Sequence, residues 1–170
     1  MTRCLLTAVQ RLRELGYRRI GLCMPRDGNE RVDNAYLSGY LLFQHRLEDG
    51  EKPCPLLADD WNEEVFFSWF RSEKPDAVVT AAYRVNGKLV SDWITDAGLR
   101  IPKDVGFALL DWSPEHAPLA GIDQGFEKVG ASAVDLLVEQ LHRNERGIPD
   151  HQKVVMLEGK WREGSSVRRK

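Results

Sequence analysis

The chain has 170 residues, with 24 Lys and Arg against 26 Asp and Glu, a formal net charge of −2 and 42% apolar residues, the figures of one ordinary globular domain. They argue against a free-standing nucleic-acid binder, which draws its sequence-independent affinity from a basic excess. No apolar run approaches the roughly 18 residues of a membrane helix, and Met1-Thr-Arg-Cys-Leu-Leu6 lacks the apolar core of a secretory leader, so a cytoplasmic protein without a membrane partner is expected.

In chain order, Leu5, Val9 and Leu12 mark one face of a first helix, which Gly16 closes. The largely apolar run Arg19-Ile-Gly-Leu-Cys-Met24 then predicts a buried strand ending at Pro25. A second helix is expected over residues 32–47, ending at Asp49-Gly50, and Pro55-Leu-Leu-Ala58 predicts a short strand. Asp60 suits the N-cap of a third helix, which carries Val65, Phe66, Trp69 and Phe70 until Pro75 stops it. The strand Ala77-Val-Val-Thr80 follows. A fourth helix is expected over 85–97 with Gly98 past its end, then the strand Val105-Gly-Phe-Ala-Leu-Leu110. Residues 113–121, rich in Pro and small side chains, predict a loop. Phe126, Val129, Ala133, Leu136, Leu137 and Leu141 mark a last amphipathic helix, and Lys153-Val-Val-Met-Leu157 predicts the final strand. The polar, basic tail from Gly164 to Lys170 is expected to fray. Helices alternating with short apolar strands predict an α/β fold: an open, mostly parallel sheet with helices on both faces.

Cys4, Cys23 and Cys54 are odd in number and widely spaced, which fits reduced and mostly buried thiols. His45, His116, His142 and His151 are scattered, so no metal site and no cofactor is expected. The sequence has no Gly-rich phosphate loop, no Gly-x-Ser-x-Gly elbow and no Cys/His nucleophile pattern, and no enzyme is expected.

In open α/β sheets a ligand lies outside the carboxyl ends of the strands. The residues in that position are Arg26, Asp27, Asn29, Arg31 and Asp33 after the first strand; Asp59, Asp60 and Trp61 after the second; Tyr83, Arg84 and Asn86 after the third; and Asp111 and Trp112 after the fourth. Flat aromatics beside carboxylate, amide and guanidinium groups suit a polyhydroxylated ligand, because sugar C–H faces stack on rings while hydroxyls take charge-assisted hydrogen bonds. The same residues also suit plainer roles. Asp60 fits a helix cap, Trp61 and Trp112 fit lids over the core edge, and Arg31 with Asp33 fits an exposed ion pair.

Four segments occur in order at familiar separations: Val9-Gln-Arg-Leu-Arg-Glu-Leu-Gly-Tyr-Arg-Arg-Ile-Gly-Leu22, Lys74-Pro-Asp-Ala-Val-Val79, Ala97-Gly-Leu-Arg-Ile-Pro-Lys-Asp-Val-Gly106 and Gly121-Ile-Asp-Gln-Gly-Phe-Glu-Lys-Val-Gly130. Together they resemble the lactose-repressor/galactose-repressor (LacI-type) family of bacterial transcription regulators. The resemblance covers the C-terminal part of such a regulator, without the DNA-reading headpiece or the first lobe of the two-lobed sensor. It implies a Rossmann-like lobe of a type I periplasmic-binding-protein-like fold. Residues 1–120 would form the C-terminal effector-binding lobe, and 121–170 the hinge, crossover helix and terminal strand. The helix near 126–142 would belong against the first lobe.

The same resemblance places Trp61 where a family aromatic stacks on effector and Asp111 where a carboxylate binds its hydroxyls. Gln124 and Phe126 match a hinge segment that lines the pocket in some members. Tyr36, before Gly39, replaces the family's effector-binding arginine, with Arg31 and Asp33 as nearby substitutes, and Tyr83-Arg84 replaces a common Asn-Asp. Tyrosine does not imitate a bidentate guanidinium, so these two changes bear on which effector is bound.

The leading expectation is therefore an effector-sensing domain, with a small-molecule effector, a saccharide by chemistry, shifting the balance of two lobe arrangements. DNA would be reached only through a headpiece that this chain does not contain. A lobe of a transport-type sugar-binding protein is the alternative. The resemblance also implies a homodimer. The apolar face of the last helix (Val129, Ala133, Leu136, Leu137) is expected to bury itself against the lobe or against another copy.

Overall fold

The computed structural model describes residues 1–148, 151 and 153–169. Its strands are β1 (Ile20–Pro25), β2 (Leu56–Ala58), β3 (Ala77–Thr80), β4 (Gly106–Trp112), β5 (Ala120–Asp123) and β6 (Lys160–Arg162). They form one sheet in the order β2-β1-β3-β4-β5-β6, parallel throughout except for β6, which runs antiparallel to β5. The helices are α1 (Thr2–Glu14), α2 (Arg26–Glu30), α3 (Ala35–Gln44), α4 (Glu63–Glu73), α5 (Val90–Asp96) and α6 (Phe126–His142).

The period of two along a strand divides the apolar residues between two layers. Ile20, Leu22 and Met24 of β1, Ala77 and Val79 of β3, and Ala108 and Leu110 of β4 face α1 and α3, where Leu5, Val9, Leu12 and Tyr40 complete one core. Their neighbours Cys23, Val78, Phe107 and Leu109 face the other way, onto Phe66 and Trp69 of α4 and Trp93 and Ile94 of α5. The strands read as continuous apolar runs for this reason: both faces are covered, as parallel sheets require. The expected α/β architecture with helices on both faces is what forms.

Several boundaries differ from the sequence reading. The second expected helix is two, α2 and α3, separated by a turn in which Asp33 and Asn34 both take positive φ, 51° and 57°. Buried Asn29 holds that turn, donating to Asn34 Oδ1 at 2.7 Å and accepting from Leu37 N at 3.2 Å. Asn62, and not Asp60, caps α4, its side chain accepting from Val65 N at 3.0 Å. The fourth helix starts at Val90, because Asn86-Gly87 makes a tight turn closed by pairing of Val85 with Lys88. The expected loop over 113–121 gives way at Ala120 to β5, too short and too Gly-rich to stand out by periodicity.

The largest corrections concern the C-terminal part. Residues 153–157 form no strand; Val154 and Met156 are 79% and 81% exposed, and the antiparallel partner of β5 is Lys160–Arg162. Nor does the tail fray. Ser166 Oγ donates to Phe107 O at 2.7 Å and accepts from Ala120 N at 2.8 Å, the Phe107 N–H donates to Ser166 O at 2.9 Å, and Ser166 and Val167 are buried. Gly164 makes this seat possible, since any Cβ there would collide with the backbone of residues 118–120. Arg168 then lies over the Tyr17 ring at 4.4 Å from its centroid, while Lys170 lies outside the described residues. Finally, α6 has no buried residue. Val134, Leu137 and Leu141 are 60%, 56% and 61% exposed, so its apolar face does not pack on the lobe.

Candidate functional site

The strand order reverses between β1 and β3: the chain leaves β1 for β2 on one side and returns to β3 on the other. The connections that follow the two strands diverge there and leave a crevice at their carboxyl ends. A cavity of about 420 Å³ occupies this position, within the range of small-molecule sites. It is lined by Gly28 and Arg31 beyond β1, Tyr36 at the start of α3, Ala81 to Tyr83 beyond β3, Asp111 at the end of β4, and Gln124 and Phe126 between β5 and α6.

The floor is a hydrogen-bonded set that satisfies itself. Buried Gln124 uses both amide hydrogens, donating from Nε2 to the Tyr36 hydroxyl at 3.0 Å and to Leu110 O at 2.7 Å. The Tyr36 hydroxyl in turn donates to Met1 Sδ at 3.3 Å. Burial, the leading cause, pushes the Tyr36 phenol far above its usual range, so it stays a neutral donor. Tyr36 therefore presents a neutral phenol already committed to protein partners.

The walls carry the free chemistry. Asp111 Oδ1 accepts from Ala82 N at 2.7 Å, and the carboxylate keeps further acceptor sites toward the cavity. Burial raises the pKa of Asp111 above the usual carboxylate range, opposed by the Ala82 N–H and by the neighbouring His116. Tyr83 is raised in the same way, first by burial and then by Asp27, with Arg31 opposing. Among the described residues, neither the Tyr83 hydroxyl nor the Arg31 guanidinium has a hydrogen-bond partner. One carboxylate, one phenol and one guanidinium therefore face a half-open cavity beside the exposed ring of Phe126.

Of the residues singled out from sequence, Arg31, Tyr36, Tyr83, Asp111, Gln124 and Phe126 come together here. Asp33 sits in the left-handed turn outside the lining, and Arg84 lines a separate cavity with His116 and Ser166. Trp61 also lies outside this lining. Its ring packs against Trp93, 5.7 Å between centroids, and among the described residues its buried Nε1 has no hydrogen-bond partner. Met1, Gly28, Val32, Ala81 and Ala82 were missed. Ala81 and Ala82 directly follow a strand, and the rule that located Tyr83 finds them too; nothing in the sequence brings Met1 to the crevice.

Comparison with known proteins agrees with this architecture. Residues 9–167 match the family model of the periplasmic binding protein-like domain. No curated protein matches the chain in sequence. Among solved structures, the lac repressor dimer bound to operator and the anti-inducer ONPF shares 22% identity with a TM-score of 0.71, over 99% of this chain and 50% of that one. The transcription regulator CcpA of Lactococcus lactis shares 16% identity with a TM-score of 0.68, over 98% of this chain and 62% of that one. A LacI family transcriptional regulator from Enterococcus faecium, solved with bound ribose, shares 18% identity with a TM-score of 0.68, over 98% and 63%. The chain thus spans between half and two thirds of the length of these regulators, and at such identities the likeness is one of fold. With a family model covering nearly its whole length and the crevice where the fold places ligands, the chain belongs to the periplasmic binding protein-like domain family.

Proposed function

We propose that this chain supplies the C-terminal lobe of the effector-binding domain of a cytoplasmic LacI-type transcription regulator, and that the crevice between β1 and β3 receives a small polyhydroxylated effector, a saccharide by chemistry. The observation that carries this reading is the grouping of Arg31, Tyr83 and Asp111, each with hydrogen-bonding capacity left over, around a cavity of about 420 Å³ at the switch point of the sheet. Asp111 accepts from ligand hydroxyls, Arg31 and Tyr83 donate, and Phe126 offers a ring face to the C–H side of a sugar. Tyr36 and Gln124 hold the floor. Trp61, Asp33 and Arg84 join only if the elements that carry them move on ligand binding.

Residues 1–120 form the lobe in this reading, and 121–170 contain its crossover. The exposed apolar residues of α6 and of 153–157 then dock on a companion lobe, which closes the other side of the crevice and couples ligand to lobe arrangement. DNA binding belongs to a headpiece outside this chain, and the lobe contributes to a homodimer.

Titration of the chain with D-ribose, D-glucose and sucrose, followed by amide chemical shifts, tests the proposal. Binding at about 1 mM or weaker, equivalent to roughly 4 kcal/mol, with shifts confined to residues 28–36, 81–83, 111 and 124–126 is the expected result. Micromolar binding overturns the shared crevice, and shifts elsewhere overturn the site.

A further inference from the structure

We propose that Gly28 is the residue that seats Tyr83 in the wall of the crevice and so holds its hydroxyl where a ligand reaches it; the inference rests on the ligand-binding reading above. Gly28 lies inside α2 and its φ is not left-handed, so the backbone does not require glycine. Helix propensity favours Ala over Gly at such a position. What requires glycine is Tyr83. A Cβ on residue 28 would fall 2.9 Å from Tyr83 Cε2 and closer still to Cζ and the hydroxyl. The phenol thus lies directly against the bare Cα of Gly28, bridging the connections that follow β1 and β3.

The backbone that carries Tyr83 is held in place. Its N–H donates to Ala81 O at 2.8 Å in a tight turn, and the preceding Ala82 N–H is held by Asp111 at 2.7 Å. The backbone is therefore pinned on the strand side, and the ring is stopped by α2 on the other. Its hydroxyl has no hydrogen-bond partner among the described residues although it lies within the electrostatic reach of Asp27, Arg31 and Asp111. A phenol positioned this closely yet left unbonded is available to a ligand hydroxyl. Gly28 acts through it as a positioning residue.

Two measurements test this. In the first, amide-shift titrations with D-ribose and D-glucose compare the wild-type chain, Tyr83→Phe and Gly28→Ala. Monosaccharide affinity is expected to fall about ten-fold in both variants, as one hydrogen bond is lost, although residue 28 has no side chain to touch the ligand. Unchanged affinity in Gly28→Ala overturns the inference and leaves the binding reading standing; a wild-type chain that binds neither monosaccharide removes both. The second is a stability cycle that needs no ligand. Gly28→Ala is expected to lower the urea midpoint when Tyr83 is present and to raise it in a Tyr83→Ala background. Additive effects overturn the seating. Should Gly28→Ala fail to fold beside Tyr83, folding of the Gly28→Ala/Tyr83→Ala chain carries the same conclusion, and failure of both variants overturns it.

Discussion

The sheet with its four covering helices and the segment from α6 to residue 157 are built from equally apolar residues but differ in everything else. In the first, Phe107, Leu109, Val78 and Phe66 are fully buried; in the second, Val134, Leu137, Leu141, Val154 and Met156 stand in solvent. Apolar content is therefore no measure of burial: a strand is covered because helices return over both its faces, whereas α6 leaves the sheet at Gly125 and meets no second layer. A 17-residue helix with no buried residue draws little support from tertiary packing, which is the physical ground for the proposal that it docks on a companion lobe.

The contrast can be broken by experiment. The largest expected effect is Phe107→Ala, which should cost about 3–5 kcal/mol of unfolding free energy in urea by opening a cavity between β4 and α5. A loss below about 1 kcal/mol would mean that the second core is loosely packed. Ser166→Ala should cost roughly 2–3 kcal/mol, because it strips the Ala120 N–H and the Phe107 carbonyl of a buried partner. An unchanged melting temperature there would show the tail to be unnecessary for the sheet.

Asp111→Asn tests the crevice instead of the core. Burial raises the Asp111 pKa in the folded state, so folding favours its protonated form and the wild-type chain loses stability as pH rises through that folded value. The amide can keep the bond from Ala82 without a buried charge. A gain of order 1 kcal/mol at neutral pH is expected, shrinking as pH falls through the folded-state value, together with weaker saccharide binding. A gain that is independent of pH would remove the charge from the explanation. The smallest effect belongs to Leu137→Glu, which should alter the melting temperature by less than the equivalent of about 0.5 kcal/mol while reducing self-association in sedimentation. A large destabilisation would mean that α6 packs on the lobe in solution. Amide exchange supplies the common scale: α6 should exchange near its intrinsic rate and β4 only through global unfolding.

Much of the fold was legible because the parallel strands are unbroken apolar runs punctuated by Gly and Pro, and a run such as Ala77-Val-Val-Thr80 has few other uses in a chain of this size. β5 was not legible: Ala-Gly-Ile-Asp has no period of its own, and only pairing with β4 and β6 makes it a strand. Lys153 to Leu157 failed in the opposite sense, since strand-like composition cannot supply a strand partner. At the crevice, Asp111 and Tyr83 could be named because they follow strands. The link from Gln124 to Tyr36 could not, because it joins residues far apart in the sequence.

What the sequence determined alone was the alternation of helices and buried strands, and with it the edge of the sheet at which a ligand would lie, since local apolar period and turn residues are properties of neighbours along the chain. Which of the candidate residues share that edge, the collision that requires Gly28, and the exposure of α6 were decided only in three dimensions. Close approach, burial and hydrogen-bond satisfaction depend on atoms that the chain brings together from distant positions.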